Sequence, residues 1–205
     1  MKKIGIIDYN MGNLASVKNA LFKINADAKV EKDPEKIFEY DSLILPGVGA
    51  FGDAMISLES TGMDKAILEY AKSGKNILGI CLGLQLLFES SEEFGDHKGL
   101  SLIEGSVKRF DFTDYENKLK VPHMGWNKLF TQQNSPLFKN MSEEFYLYFV
   151  HSFHVVTDEK FTIGKTHYNY DFVSAVNKDN IFGLQPHPEK SHENGIKILE
   201  NFINL

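Results

Sequence analysis

Ile77-Leu78-Gly79-Ile80-Cys81-Leu82-Gly83-Leu84-Gln85-Leu86-Leu87-Phe88 joins an apolar run to a helical pattern and holds the only cysteine of the chain. Residues 76–80 form a short apolar stretch of the kind found in buried strands, and 82–90 read as the helix that follows. Glycines stand two positions before and two after Cys81. A sharp strand-to-helix turn that projects a nucleophile needs small residues there, because a Cβ would collide with neighbouring backbone. In such a turn the thiol sits at a helix N-terminus, which lowers its pKa, and the Leu82 N–H points at the oxyanion formed on an attacked carbonyl. A free cysteine is also among the most buried residue types, and glycine is common where strands meet helices. This segment alone leaves both readings open.

The same strand-then-helix texture recurs upstream. Residues 4–7 form an apolar strand that ends in Asp8-Tyr9-Asn10-Met11-Gly12-Asn13, after which Leu14, Val17, Leu21 and Ile24 recur at helical spacing. Asp33-Pro34-Glu35 offers an N-cap followed by proline at a first helical position. Residues 42–45 form another apolar strand, ending at Pro46-Gly47-Val48-Gly49, and a helical pattern covers 51–73. Strands alternating with helices to about residue 95 predict a parallel sheet covered on both faces. Beyond Gly95, aromatic and β-branched runs at 107–112, 145–150, 161–167, 172–176 and 181–184 predict antiparallel additions. A last helix is expected over 195–204, with Ile196, Leu199 and Ile203 on one face. The expected fold is α/β: a three-layer, open, mostly parallel sheet with helices on both faces and antiparallel additions, in one domain over residues 1–205.

Composition narrows the function classes. The 205 residues are 42% hydrophobic and 24% charged, within the globular range. A net charge of −6 gives no basic footprint for nucleic acid or an anionic membrane surface, so small molecules and proteins are the expected partners. One cysteine makes no internal disulfide, and the apolar N-terminus ends at Asp8, too early for a secretory segment. No apolar run approaches the roughly 20 residues that span a bilayer. A cytoplasmic protein is expected.

A second stretch bears on the cysteine. In Gln185-Pro186-His187-Pro188-Glu189-Lys190-Ser191, each residue before a proline is pushed toward extended geometry. Positions two apart then share a face, so Glu189 is placed to accept the His187 N–H, fix its tautomer and stabilise the imidazolium once the ring takes a thiol proton. Alone, a His-x-Glu pair is more often a surface ion pair; beside a cysteine elbow, the catalytic reading overtakes it. A metal held by Cys81, His187, Glu189 and His192 is the competing use, but zinc-type spacing is missing, and no Gly-x-Gly-x-x-Gly follows the first strand. No metal or cofactor is expected. In Pro46-Gly47-Val48-Gly49, two glycines let main-chain N–H groups approach a substrate and supply a second oxyanion donor, or else make an ordinary turn. Gln85 lies four residues past Cys81, on the same helix face, where its amide either reads a polar substrate or faces solvent.

Together these segments resemble the triad (class I) glutamine amidotransferases, whose glutaminase domain uses Cys, His and Glu. The similar stretches are 8–13, 46–52, 79–85, Val121-Pro122-His123-Met124-Gly125-Trp126-Asn127, Tyr148-Phe149-Val150-His151-Ser152 and 187–191, nearly the whole chain. The stretch 122–127 is the most specific and is similar to the glutaminase subunits of histidine biosynthesis. The resemblance implies Cys81 as nucleophile, His187 as general acid/base and Glu189 as its orienter. Leu82 with Val48 and Gly49 would form the oxyanion hole, while Gly47, Gln85, His151, Ser152 and Phe153 would hold the substrate. Asn13, Pro122, His123, Met124, Gly125, Trp126, Asn127, Tyr148 and Lys190 would face a partner. The implied reaction is hydrolysis of L-glutamine to glutamate and ammonia through a thioester. The ammonia would pass to a (β/α)8 cyclase subunit, in a heterodimer, that makes imidazole glycerol phosphate and AICAR; every segment here serves the glutaminase, so the acceptor site is expected on another chain.

Two other readings share these residues. One is a paralogue that supplies ammonia to a different synthase, such as one forming amidino groups on surface sugars; the other is a non-catalytic partner of a barrel enzyme. Two residues depart from the family pattern, Pro186 and His154, which stand where aromatic residues are usual, and Pro186 lends the paralogue reading some weight. A proline before the histidine removes a backbone N–H, so the sheet edge or its packing is expected to differ there.

Overall fold

The computed structural model describes residues 2–116, 118–132 and 134–205. In chain order the elements are β1 (Lys3–Ile7), α1 (Leu14–Lys23), β2 (Asp27–Glu31), β3 (Ser42–Gly47), α2 (Phe51–Thr61), α3 (Met63–Lys72), β4 (Asn76–Cys81) and α4 (Leu82–Leu86). They continue with β5 (Ser90–Ser91), β6 (His97–Lys98), β7 (Ser106–Arg109), β8 (His123–Thr131), β9 (Glu144–His151), β10 (Phe153–Val156), β11 (Thr162–Tyr168), β12 (Tyr170–Lys178), β13 (Ile181–Leu184) and α5 (His192–Ile203). Short 3-10 turns lie at Lys36–Glu39, Pro136–Phe138, Glu159–Phe161 and Pro188–Lys190.

One mixed sheet runs β2-β1-β3-β4-β13-β12-β10-β7-β5-β6, with β11, β8 and β9 branching from β12. The five strands from β2 to β13 are parallel, and antiparallel pairing begins where β13 meets β12. Side-chain alternation divides the central strands between two cores. Leu43, Leu45 and Ile77 join α2 and α3 through residues such as Phe51, Leu58 and Ile67. Ile44, Leu78 and Ile80 face the other way, into a core with Val17 and Leu21 of α1 and Ile198, Leu199 and Phe202 of α5. Helices therefore cover both faces, the α/β arrangement expected of a parallel sheet.

Several local expectations are corrected. The helical pattern over 51–73 is two helices, divided at Gly62, whose φ of 76° ends α2 in the left-handed region. Pro34 opens only a turn and the Lys36–Glu39 3-10 segment rather than a full helix. The strand β2, absent from the sequence expectation, is a mostly exposed edge strand whose only apolar residues are Ala28 and Val30, alternating with Asp27, Lys29 and Glu31. Most relevant to the site, the helix after Cys81 is five residues long instead of reaching residue 90. The carbonyls of Leu86, Leu87 and Phe88 accept hydrogen bonds from Leu100, Leu102 and Ser101 N–H groups, so the loop at 99–103 takes the acceptors that a continuing helix would have used. Among the described residues, no helix is long and apolar enough to cross a membrane.

Candidate active site

Three neighbouring strands deliver the chemical groups to one edge of the sheet. In register, Gly47 at the end of β3 lies beside Cys81 at the end of β4, and Ile80 lies beside Leu184 at the end of β13. The turn 46–49, the cysteine and the stretch 185–189 therefore emerge together at the carboxyl ends of parallel strands, where open α/β sheets bind ligands.

Cys81 itself occupies φ 55°, ψ −111°, a conformation that an L-residue with a Cβ holds only when its surroundings over-determine it. Those surroundings are close backbone approaches. A Cβ on Gly83 would stand 1.8 Å from the Leu45 carbonyl oxygen, and one on Gly79 would stand 2.6 Å from the Gly83 oxygen. Without side chains at both positions, the first turn of α4 sits directly against β3 and β4 and Cys81 is held over the sheet edge. Because α4 is so short, its macrodipole is small, and the available electropositive group is the local Leu82 N–H, which has no acceptor within the helix.

His187 is extended, as its place before a proline predicts, but Glu189 is not: Pro188–Lys190 is a 3-10 turn. Proline at the first position of that turn forfeits no hydrogen bond, and the Lys190 N–H closes it on the His187 carbonyl at 3.0 Å. Ser191 holds the turn from below, donating through Oγ to the His187 carbonyl (2.6 Å) and accepting the Tyr148 N–H (2.9 Å). Glu189 reaches back around the turn, and His187 Nδ1–H donates to Glu189 Oε1 at 2.8 Å with side-chain exposures of 2% and 1%. The bond leaves Nε2 buried with no hydrogen-bond partner among the described residues. Burial alone depresses the imidazole's proton affinity, but the Cys81 thiolate, seconded by Glu189, outweighs it and pushes the pKa up to about 10.

At Pro186 the sheet keeps its hydrogen bonds. The β13–β4 ladder ends at the Leu184 pair, so the missing N–H falls beyond it, while Gln185 and His187 still donate to Ser174 and Tyr148 carbonyls at 2.9 Å. His154 is buried, with its ring 4.8 Å from that of Phe110 and Nε2 2.8 Å from the Tyr170 hydroxyl; burial holds its pKa down, so it serves as a polar core residue.

The thiol opens on a cleft of about 330 Å³, lined among others by Val48, Gly49, Leu82, Gln85, Pro122, Val150, His151, Ser152, Phe153 and His187. Gly49 has φ 106° and turns the chain at the cleft wall. Gly47 lies beneath it, buried, where an added Cβ would meet the Tyr9 hydroxyl and Leu82. Gln85 donates both amide hydrogens internally, to the Phe153 carbonyl and to Gln185 Oε1, each at 3.1 Å. Its own oxygen is thereby oriented as the acceptor.

The residues expected at a partner surface separate by strand alternation. On β8, Met124 and Trp126 are exposed, and Trp126 stacks on His192 with ring centroids 5.0 Å apart. His123, expected at the same surface, is 3% exposed and points inward, toward His151. Lys190 lies over the Tyr148 ring at 5.9 Å, Asn127 is half-buried, and Asn13 caps α1 through a 3.4 Å bond from the Ser16 N–H.

Two residues at the site escaped the sequence reading. Glu93 looks like part of a solvated acidic run at 92–93, yet it lines the cleft and Oε2 accepts the Phe51 N–H at 2.7 Å, anchoring the segment after Gly49. Gln185 was read only for its backbone, whereas its fully buried side chain places Nε2 3.8 Å from Cys81 Sγ. Neither has a local signal, since both contacts form between distant segments.

A cysteine on a strained strand-helix turn, with a buried His-Glu pair just past the adjoining strand, is the arrangement of a triad amidotransferase site. The family model for class-I glutamine amidotransferases matches residues 5–205, and the chain belongs to that family. Within it, the chain belongs to the HisH family, the glutaminase subunits of imidazole glycerol phosphate synthase. It is 64% identical to the imidazole glycerol phosphate synthase subunit HisH of Sulfurimonas denitrificans, over 97% of this chain and 96% of that one. It is 57% identical to the corresponding subunit of Wolinella succinogenes, over 98% and 99%. Its fold is similar to the solved structure of PurLQS from Thermotoga maritima, with a TM-score of 0.76, 22% identity, and coverage of 100% and 99%.

Proposed function

We propose that Cys81, His187 and Glu189 are the catalytic triad and that the chain acts as one glutaminase domain over residues 1–205. The Cys81 thiolate attacks the side-chain carbonyl carbon of L-glutamine. The resulting oxyanion is received by the Leu82 N–H and by the turn at Val48 and Gly49. His187 passes its Nε2 proton to the departing nitrogen, ammonia leaves, and a thioester remains. Water, deprotonated by the now neutral His187, attacks that thioester; glutamate departs and the thiolate–imidazolium pair is restored. Glu189 holds the imidazole tautomer throughout and stabilises its charge.

For the substrate's charged end, Glu93 at the cleft wall suits the α-ammonium group, with the Gln85 oxygen as a second acceptor and the main chain at Ser152 and Phe153 beside them. The ammonia is delivered to a (β/α)8 cyclase subunit in a heterodimer that makes imidazole glycerol phosphate and AICAR, in the cytoplasm. The exposed Met124 and Trp126, with Tyr148 and Lys190, form the contact surface, and Pro122 carries that surface to the cleft. The histidine-pathway acceptor is preferred over a sugar-modifying synthase because full-length relatives at 64% and 57% identity bear that subunit's name.

The observation that carries the assignment of roles is the pairing of a positive-φ cysteine with a His-Glu couple whose two side chains are almost wholly buried. Its test is Cys81→Ala in the complex with the cyclase. Glutamine-dependent product formation should vanish while synthesis from added ammonium salt continues; loss of both would make Cys81 a structural residue.

A further inference from the structure

A chain of side chains behind the cleft has every hydrogen-bond direction forced. Asn127 Oδ1 accepts the Lys128 N–H at 2.8 Å, so its amide hydrogens go to the His167 carbonyl (2.9 Å) and to His123 Nε2 (3.2 Å). His123 must then carry its proton on Nδ1 and donate to His151 Nε2 at 3.0 Å. His151 in turn donates from Nδ1 to the Phe153 carbonyl at 2.7 Å. That carbonyl also receives Gln85 Nε2, whose second hydrogen goes to Gln185 Oε1. With its oxygen committed, Gln185 has one way to point: Nε2 faces Cys81 Sγ at 3.8 Å.

The sulfur lies between this donor and an acceptor, the Val150 carbonyl, at 3.9 Å. The acceptor suits a thiol, which donates its hydrogen, and repels a thiolate. The donor suits a thiolate. Resting on the reading of Cys81 as nucleophile, we propose that Gln185 is a positioning residue for it: the amide, fixed through Gln85 and the Phe153 carbonyl, offsets the Val150 carbonyl and holds the ionised sulfur at the cleft. Gln185 is fully buried behind the sulfur and is not among the cleft-lining residues, so it acts on the nucleophile and not on glutamine.

The test is the pH dependence of Cys81 alkylation by iodoacetamide in the full-length chain, comparing wild type with Gln185→Met and Gln185→Glu. Without the donor, the half-point of alkylation should move about one unit toward alkaline pH, roughly tenfold slower reaction below the wild-type half-point. The carboxylate variant should move it further in the same direction. In glutamine turnover by the complex, kcat should fall with KM unchanged, a split that loss of packing alone does not produce. A wild-type measurement keeps the proposal falsifiable if neither variant folds: the Gln185 side-chain amide proton resonance should titrate with the same midpoint as alkylation. An unmoved profile in folded variants, or an amide resonance indifferent to Cys81 ionisation, overturns the positioning role. Wild-type Cys81 reacting no faster than a generic thiol would instead overturn the nucleophile reading on which it rests.

Discussion

Replacing Cys81 by alanine and by glycine should reverse the usual order of their stabilities. At an unstrained buried position, glycine is the worse residue: its unfolded chain is freer by about 0.4–1 kcal/mol, and one buried methyl adds about 0.8 kcal/mol in favour of alanine. Position 81 is not unstrained, because φ 55° with ψ −111° lies outside the regions open to a residue with a Cβ. Backbone strain of this kind costs about 1–3 kcal/mol. Toward the upper end of that range the strain exceeds the other two terms, leaving Cys81→Gly more stable than Cys81→Ala by about 1 kcal/mol. For a chain of this size that corresponds to a Tm higher by about 2–4 °C. Both variants lack the sulfur, so the loss of the thiolate beside His187 is common to both and cancels. Thermal or urea unfolding followed by circular dichroism measures the difference directly. Should Cys81→Ala prove the more stable, the strain at the elbow is below the roughly 1–2 kcal/mol of the other two terms, and the argument that β3, β4 and α4 hold the cysteine under strain near the upper end of that range fails.

Further expectations follow from the same packing and charge. Gly83→Ala puts a methyl carbon 1.8 Å from the Leu45 carbonyl oxygen, part of a strand that has no room to move, so a loss of about 3 kcal/mol or more is expected in denaturant unfolding, together with slower Cys81 alkylation. The His187 imidazole should titrate near pH 10 by NMR and fall toward its ordinary value in Cys81→Ala, since the thiolate is the largest influence raising it; an unchanged titration would assign the shift to Glu189 alone. Because this folded pKa lies above the unfolded value of 6.5, the stability contributed by the couple is complete below pH 6.5 and is lost as pH rises through about 10. His123 behaves in the opposite sense. Burial lowers its pKa from 6.5 to about 4, so its contribution is whole above pH 6.5 and is lost as pH falls toward 4, by at most about 3 kcal/mol. In that window His123→Asn should flatten the acid limb of the stability profile, and a limb of equal slope in both proteins would place the acid sensitivity elsewhere.

Much of this protein was legible without coordinates, because the signals are local. Short apolar runs at 4–7, 42–45 and 76–80, each followed by a helical pattern or a glycine turn, are self-contained evidence for parallel strands, and they lie in β1, β3 and β4. The spacing Gly79-x-Cys81-x-Gly83 describes a steric requirement of one turn, and His187-Pro188-Glu189 places its two functional groups within three residues. Even there, the manner in which they meet was misjudged: Pro188 starts a 3-10 turn, so Glu189 reaches His187 around a bend and not along a strand. Secondary structure failed where the tertiary fold overruled local pattern, as in α4, whose continuation is pre-empted by the N–H groups of residues 100–102.

What only the tertiary structure decided is which polar groups stand together. Glu93 and the Phe51 N–H, or Gln185, Gln85 and the Phe153 carbonyl, are separated in the chain by tens to a hundred residues, and no periodicity links them. Hydrogen-bond direction is likewise a property of the assembled network: neither the tautomer of His123 nor the orientation of the Gln185 amide exists until β8, β9, β10 and β13 bring their neighbours into place. The sequence by itself determined the cysteine turn, the His-x-Glu pair and the sheet that carries them, since each depends on residues close in the chain; the environment that sets their charge depends on contacts between distant strands, and folding alone creates those.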